Sequence, residues 1–143
     1  MKCRVIIDAS KDEEVIICVR QRTALSDDIE NYIASRSSEI TAFDDTGAVK
    51  LNLSEVLAFC VEENRVYAIT ENQKLKIKQR LYAVEERLSE NFVRINQSCI
   101  VNLNRIARFD ASISGTLSVI MKNGYKDYVS RRQLKAVKER MGL

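Results

Sequence analysis

The fold is decided by the stretch Phe92-Val93-Arg94-Ile95-Asn96-Gln97-Ser98-Cys99-Ile100-Val101-Asn102-Leu103. Two apolar runs, 92–95 and 99–101, flank the polar trio 96–98, a pattern that predicts two short strands joined by a turn. Comparable short apolar runs precede this stretch at regular spacing, and together they indicate a mostly β framework. The preceding runs are 40–43, 49–53, 56–61, 66–70 and 75–77.

A second motif predicts a hairpin further along the chain. The pair Asn123-Gly124 lies between the apolar runs 117–121 and 125–129. Because Asn and Gly tolerate positive φ, we expect a tight turn with positive φ at both residues.

Two helices are predicted in the same part of the chain. The first is indicated by apolar residues at helical spacing, namely Leu81, Val84 and Leu88. The second begins at Ser130, which with Gln133 matches a capping box, and Gly142 can end it. Its inward stripe is predicted to comprise Leu134, Val137 and Met141.

Residues 1–45 are predicted to form a strand–strand–helix extension. Residues 2–8 and 15–19 are expected to be strands on either side of a polar turn, and Ser26 or Asp27 is expected to cap a short helix. This part contains six Lys and Arg against ten Asp and Glu, a net charge of −4, whereas residues 46–143 contain seventeen against ten, a net charge of +7. A basic C-terminal part favours a nucleic-acid partner.

Composition disfavours an enzyme. The 143 residues include no His, which removes Ser–His triads, His-bearing zinc sites and the usual base for a nucleophilic Cys. We therefore expect no catalytic residue, metal, cofactor or small-molecule substrate. The four cysteines have no CxxC spacing and are expected to be buried, reduced thiols; they are Cys3, Cys18, Cys60 and Cys99.

Nothing in the sequence indicates a membrane partner. No apolar run approaches the ~18 residues that a transmembrane helix needs. The N-terminus reaches Asp8 too soon for a secretory signal. A cytoplasmic location is therefore expected.

The pattern resembles the LytTR family of bacterial DNA-binding transcription regulators. The 92–103 stretch is similar to the family signature F-x-R-x-H-x-S-x-[IV]-V-N, and residues 117–131 are similar to a second signature, L-x-V-x-[LM]-x-N-G-x-x-x-x-V-S-R. Residues 53–59 and 81–88 resemble two upstream segments of the family. The resemblance covers residues 46–143, which we expect to form the LytTR-type DNA-binding domain after the 1–45 extension.

The resemblance implies a mostly β fold with short helices (α+β), an elongated antiparallel LytTR-type fold whose loops enter successive major grooves of double-stranded DNA. Three loops carry the expected contacts. They comprise Asn64 and Arg65, then Asn96, Gln97 and Ser98, then Arg131 with Arg132 and Lys135 beside it. Arg can donate two hydrogen bonds to guanine and Asn or Gln can pair with adenine, whereas Lys and Arg at phosphates set affinity and salt dependence.

Several positions leave alternatives open. Asn96 stands where the family commonly has His, so it keeps hydrogen-bonding capacity but loses a titratable ring. Asn96 and Gln97 could instead simply build the turn, and Asn102 is expected to cap local backbone. The cationic side of the last helix could be an ordinary solvated face.

The predicted function is sequence-specific, response-regulator-like control of transcription. The alternative is a protein-interaction module that has the same fold and binds no specific DNA. Many family members follow a receiver domain, which needs ~100 residues, so none is expected in the 45 residues that precede the domain. A homodimer is expected, in which an edge strand at 14–19 could pair across subunits.

Overall fold

The computed structural model describes residues 2–11, 15–37, 39–112 and 115–142. The chain divides into two compact units, residues 1–34 and 35–143.

The first unit corrects the prediction for the N-terminal residues. No strand forms at 2–8 or 15–19, where the described backbone is irregular. Apolar side chains there are exposed, with Val5 at 82 % and Ile7 at 95 % of full exposure. A strand requires a neighbour for its backbone hydrogen bonds, and an apolar run alone does not supply one.

The helix of this extension, α1, spans Ala24–Ser37 and begins earlier than predicted. Thr23, rather than Ser26 or Asp27, precedes its first turn. The Ser26 backbone N–H donates to Thr23 Oγ1 at 3.1 Å, and the Thr23 backbone N–H donates to Ser26 Oγ at 3.0 Å. This reciprocal pair satisfies two donors that a helix start leaves open, so it fixes where the helix begins.

The described residues of the second unit confirm the mostly antiparallel β fold with short helices. They form ten strands: β1 Glu39–Asp44, β2 Gly47–Asn52, β3 Val56–Glu62, β4 Arg65–Thr70, β5 Lys74–Ile77, β6 Phe92–Asn96, β7 Cys99–Asn102, β8 Ile106–Ala111, β9 Leu117–Met121 and β10 Lys126–Val129. Two more helices complete the unit, α2 Leu81–Arg87 and α3 Arg131–Met141.

The strands form two antiparallel sheets. Seven strands follow the order β2-β1-β5-β4-β3-β7-β6, and three follow the order β10-β9-β8. Strand β1 precedes the predicted domain start at residue 46 but pairs with β2 along its whole length. Strand β8 was not predicted, because its side chains are only half-buried or exposed and give no apolar alternation.

Both faces of the larger sheet are buried at strands β3, β7 and β6, and each face belongs to a separate core. Phe59 and Ile100 point to one core, which α2 covers with Leu81 and Val84. On the other face lies a core that includes residues of the smaller sheet and Val137 of α3. Strands with two buried faces carry near-continuous apolar runs, which explains the unbroken run at 56–61.

The second hairpin is confirmed, but its turn differs from the prediction. Gly124 has φ +90°, whereas Asn123 is not among the described residues with positive φ. The Gly124 N–H donates to the Met121 carbonyl at 2.9 Å, and the Met121 N–H donates to the Tyr125 carbonyl at 2.8 Å. These bonds define a three-residue loop, in which only the last position requires the left-handed region.

Helix α3 begins and ends where it was predicted to, but the hydrogen bonding of its first turn differs. Gly142 has φ +70° and caps the helix C-terminus. Ser130 lies at the N-cap but its hydroxyl makes no capping hydrogen bond, so the predicted capping box is wrong. The Gln133 N–H instead donates to the Ser130 carbonyl at 3.0 Å, which removes the need for the hydroxyl.

The cysteines divide into two pairs. All four are free thiols, but Cys3 and Cys18 are exposed while Cys60 and Cys99 are buried. The prediction that all are buried is therefore wrong for the first two, because the N-terminal residues that carry them form no packed strand. Burial raises the pKa of both the Cys60 and the Cys99 thiol.

We expect a thiol reagent such as DTNB to modify Cys3 and Cys18 rapidly in the folded protein and to spare Cys60 and Cys99. The thiolate is the reactive form, and burial at the second pair disfavours it. Reaction kinetics followed by absorbance, with mass-spectrometric mapping, measure this difference. Urea-unfolded protein is the control in which all four should react. Equal rates in the folded state at Cys3 and Cys99 would contradict the assigned burial.

Candidate nucleic-acid interface

Two predicted loops lie side by side at one end of the larger sheet. The β3–β4 turn contains Glu63 and Asn64, and the β6–β7 turn contains Gln97 and Ser98. Strands β3 and β7 are antiparallel neighbours, with Cys60 opposite Cys99. The Val61 N–H then donates to the Ser98 carbonyl at 2.8 Å, so the pairing continues into the second turn.

The first turn is a tight two-residue connection. Glu62 pairs with Arg65 across the hairpin, and Glu63 and Asn64 have φ values of +49° and +62°. Two consecutive positive φ values match the twist of the flanking strands. Arg65 is therefore the first residue of β4 rather than a loop residue, and its side chain is exposed like that of Asn64.

Asn96 is buried, at 2 % of full exposure. Its Nδ2 donates to the Tyr128 carbonyl at 2.8 Å and to Asp127 Oδ1 at 3.0 Å, and its Oδ1 accepts from the Ser98 N–H at 2.8 Å. Both amide protons are used, so this side chain has no free donor for a base. A direct DNA contact at Asn96 stays a prediction, and in the DNA-free protein its amide hydrogens are used by Asp127 and Tyr128. We call this set of three bonds the Asn96 latch.

The third predicted loop is held beside the second. The Ser130 N–H donates to the Ile95 carbonyl at 2.8 Å, one residue before the latch. Helix α3 starts at the next residue, and Arg131, Arg132 and Lys135 are all exposed. The predicted inward stripe is confirmed, because Val137 is buried and Leu134 and Met141 pack against the same core.

Two further hydrogen bonds hold Asp127, one of the partners of Asn96, in place. The Tyr125 hydroxyl donates to Asp127 Oδ2 at 3.0 Å, and the other oxygen of Asp127 accepts from Asn96 and from the Tyr128 N–H. Burial raises the pKa of the Tyr125 hydroxyl, so this group remains a neutral donor. The Asp127 carboxylate is thereby fixed in the orientation that the latch uses.

Arg94 is a positioning residue that the sequence reasoning missed. Its Nη1 donates to the Gln97 carbonyl at 2.8 Å and to the Asn96 carbonyl at 3.4 Å, while its Nε donates to the Glu85 carboxylate. The guanidinium thus ties the second turn to α2. The sequence does contain a signal for this role, because an Arg two residues before a polar turn can reach the carbonyls of that turn.

Three predicted contact residues share one open cleft. Asn64, Arg65 and Gln97 line it together with Arg94, and its volume is about 1120 Å³. Ser98 is exposed in the same turn as Gln97. The structure therefore brings the first two predicted loops together around one cavity, and the buried Asn96 does not line it.

Elsewhere the described residues hold no cluster of three or more His, Cys, Asp or Glu side chains that could bind a metal. Among the helices that the structure describes, none is both long and apolar enough to cross a membrane.

The second unit is thus a mostly antiparallel β domain that presents exposed polar and cationic residues where its loops meet. The model of the LytTr DNA-binding domain family matches residues 46–142. The chain therefore belongs to the LytTR family. A solved LytTr DNA-binding domain, from a Bacillus cereus protein described as a methyl-accepting/DNA response regulator, has the same fold, with a TM-score of 0.70 at 24 % identity, covering 74 % of this chain and 98 % of that one.

Curated relatives align along the whole chain. Uncharacterised HTH-type transcriptional regulators of Staphylococcus aureus strains NCTC 8325 and N315 are each 32 % identical over 148 residues, covering 100 % of this chain and 99 % of the relative. The relatives' name refers to a helix-turn-helix. In the part of this chain that the structure describes, strands separate each helix from the next, so no such motif is formed there.

Replacing Asn96 with Ala should lower the free energy of unfolding by about 1–3 kcal/mol, because Asp127, Tyr128 and Ser98 lose the buried amide to which they are hydrogen-bonded. Urea denaturation measures the change. Asn104→Ala is the matched control, since the Asn104 side chain is exposed and only its backbone N–H bonds to Asn102. Equal stability of the two variants would show that the latch does not hold the sheets together.

Proposed function

We propose that this protein is a sequence-specific DNA-binding transcription regulator whose three loops contact successive major grooves of double-stranded DNA. The observation that carries the proposal is the convergence of the loops. The hydrogen bonds of Val61 to Ser98 and of Ser130 to Ile95 hold together three exposed segments within a domain of a DNA-binding family.

The exposed side chains suit base recognition. Gln97 and Asn64 present side-chain amides that can pair with adenine, and Arg131 presents a guanidinium that can donate two hydrogen bonds to guanine. All three are exposed, unlike Asn96. We assign base contacts to Gln97 and Arg131, with Asn64 and Arg65 contacting the neighbouring groove.

Phosphate contacts are assigned to the cations beside them. Arg132 and Lys135 are exposed on α3 next to Arg131. Contacts of this kind set register and affinity but carry no sequence information. Ser98, at the tip of the second turn, adds a hydroxyl that can donate to a phosphate.

Arg131→Ala and Gln97→Ala should each weaken binding to the preferred DNA site by about 1–3 kcal/mol and leave binding to unrelated DNA nearly unchanged. The site is first selected from genomic fragments that include the protein's own promoter. Fluorescence anisotropy with the selected and a scrambled duplex then measures the effect. Lys122→Ala is the control, because Lys122 is exposed at the second hairpin, which contacts the opposite end of β4 through Asn123 and Thr70.

The fragment selection and the binding measurements also distinguish the two candidate functions, DNA binding and protein interaction. Selection of no preferred fragment, together with binding that is insensitive to salt, would replace the proposal with a protein-interaction module. If both variants bind the selected site as tightly as the parent, DNA recognition stands but these assignments are wrong.

We further propose that the protein is a homodimer. Four apolar side chains of the N-terminal residues are exposed, namely Val5, Ile6, Ile7 and Ile16, and packing against a second copy of this segment would remove them from water. A dimer would also match two half-sites on DNA.

Sedimentation equilibrium should show a concentration-dependent dimer, and Ile7→Lys should shift it toward monomer, because a charge cannot be buried there without a partner. Val49→Lys, at a half-buried position of β2, is the control for an added charge. A parent protein that remains monomeric at high concentration would refute the dimer.

A further inference from the structure

The cleft that Asn64, Arg65 and Gln97 share has a second wall that the resemblance does not assign. Lys76, Lys78 and Arg80 line this wall. The alternation of β5 explains the position of Lys76 and of Lys78 just after the strand, because Leu75 and Ile77 are buried in the core and their neighbours therefore face the other way. Arg80 follows at the N-cap of α2. We call Lys76, Lys78 and Arg80 the cleft cations.

Among the residues that the structure describes, the cleft cations and Arg65 have no carboxylate partner. None of the four forms an ion pair within 4.0 Å among the described residues, whereas Glu62 pairs with Lys74 and Glu85 pairs with Arg94. None of the residues that line the cleft is acidic. Lys78 instead contacts an aromatic ring, since its Nζ lies 4.2 Å from the centre of the Phe43 ring.

A concave surface that carries several unpaired cations focuses positive potential and attracts a polyanion. The chemistry of the cations favours phosphate over base edges. Two of the three are Lys, whose ammonium is a compact charge on a flexible stem, and such contacts go mostly to the backbone of DNA. The open form of the cleft suits a continuous strand.

We propose that this cleft binds the DNA backbone next to the bases that Gln97 contacts, with Lys76, Lys78 and Arg80 each neutralising a phosphate. This inference rests on the proposed function and extends it. The cleft then has two parts with different roles. The two turns at its rim contact bases and provide sequence specificity, whereas the cationic wall contributes affinity for DNA of any sequence.

Counterion release makes the proposal measurable. Each neutralised phosphate adds about 0.9 to the slope of log K against log salt concentration. The triple variant Lys76→Gln, Lys78→Gln, Arg80→Gln should therefore reduce this slope by roughly 2–3. Between 50 and 200 mM salt, its loss of affinity should be roughly 40-fold smaller than that of the parent. Preference for the selected site over scrambled DNA should be retained.

A variant with the same net charge is the control. Lys50→Gln, Arg108→Gln, Lys122→Gln removes three exposed cations that lie outside the cleft, so its slope should stay close to that of the parent. Urea midpoints of both triple variants verify folding. If the cleft triple is unstable, the three single variants replace it, each with an expected slope change of about 0.9.

Ethylation interference supplies the second readout. Phosphates that flank the Gln97 contact should interfere with binding of the parent and lose this effect in the cleft triple. Slopes that are equal for the cleft triple and the control would overturn the proposal. If Arg131→Ala loses site preference while the cleft triple keeps the parental slope, the proposed function stands and the cleft assignment fails. If the parent binds no duplex at any salt concentration, both fail.

Discussion

The side-chain amide of Asn96 joins the two sheets at the point where the exposed loops meet. It donates to the backbone of Tyr128 and to Asp127 in β10 and accepts from Ser98 in the second turn. A buried polar group contributes about 1 kcal/mol per hydrogen bond but costs more when its partner is removed. The placement of the second and third loops therefore depends on one buried side chain.

In this interface, the residues that hold the loop backbone in place differ from those whose side chains can contact a ligand. Asn96 and Arg94 hold the second turn through its backbone, so Gln97 is left with its side chain outside. The Ser130 bond to Ile95 places Arg131 in the same way. Loops fixed by the domain itself lose little conformational freedom on binding, which is an advantage for contacts that must fit the edge of a base.

The apolar runs were sufficient to predict nine of the ten described strands, whereas contacts between distant residues were not readable from them. The runs at 2–8 and 15–19 looked like strands, but no described neighbour pairs with them. The motif placed Asn96 in a turn, yet only the fold decides that its side chain points inward. Local alternation is more informative: buried Leu75 and Ile77 in β5 place the half-buried Lys76 on the opposite face of the strand, a signal present in the sequence.

The residue type at position 96 also decides whether the Asn96 latch depends on pH. Members of the LytTR family commonly have His at this position, and an imidazole titrates near pH 6.5. Protonation of such a ring would add a positive charge and turn its acceptor nitrogen into a donor. An amide has no such equilibrium, so the bonds of Asn96 to Tyr128 and Ser98 are the same on either side of neutral pH. In this chain, the hydrogen bonds of residue 96 that place the loops are therefore independent of the protonation of its side chain.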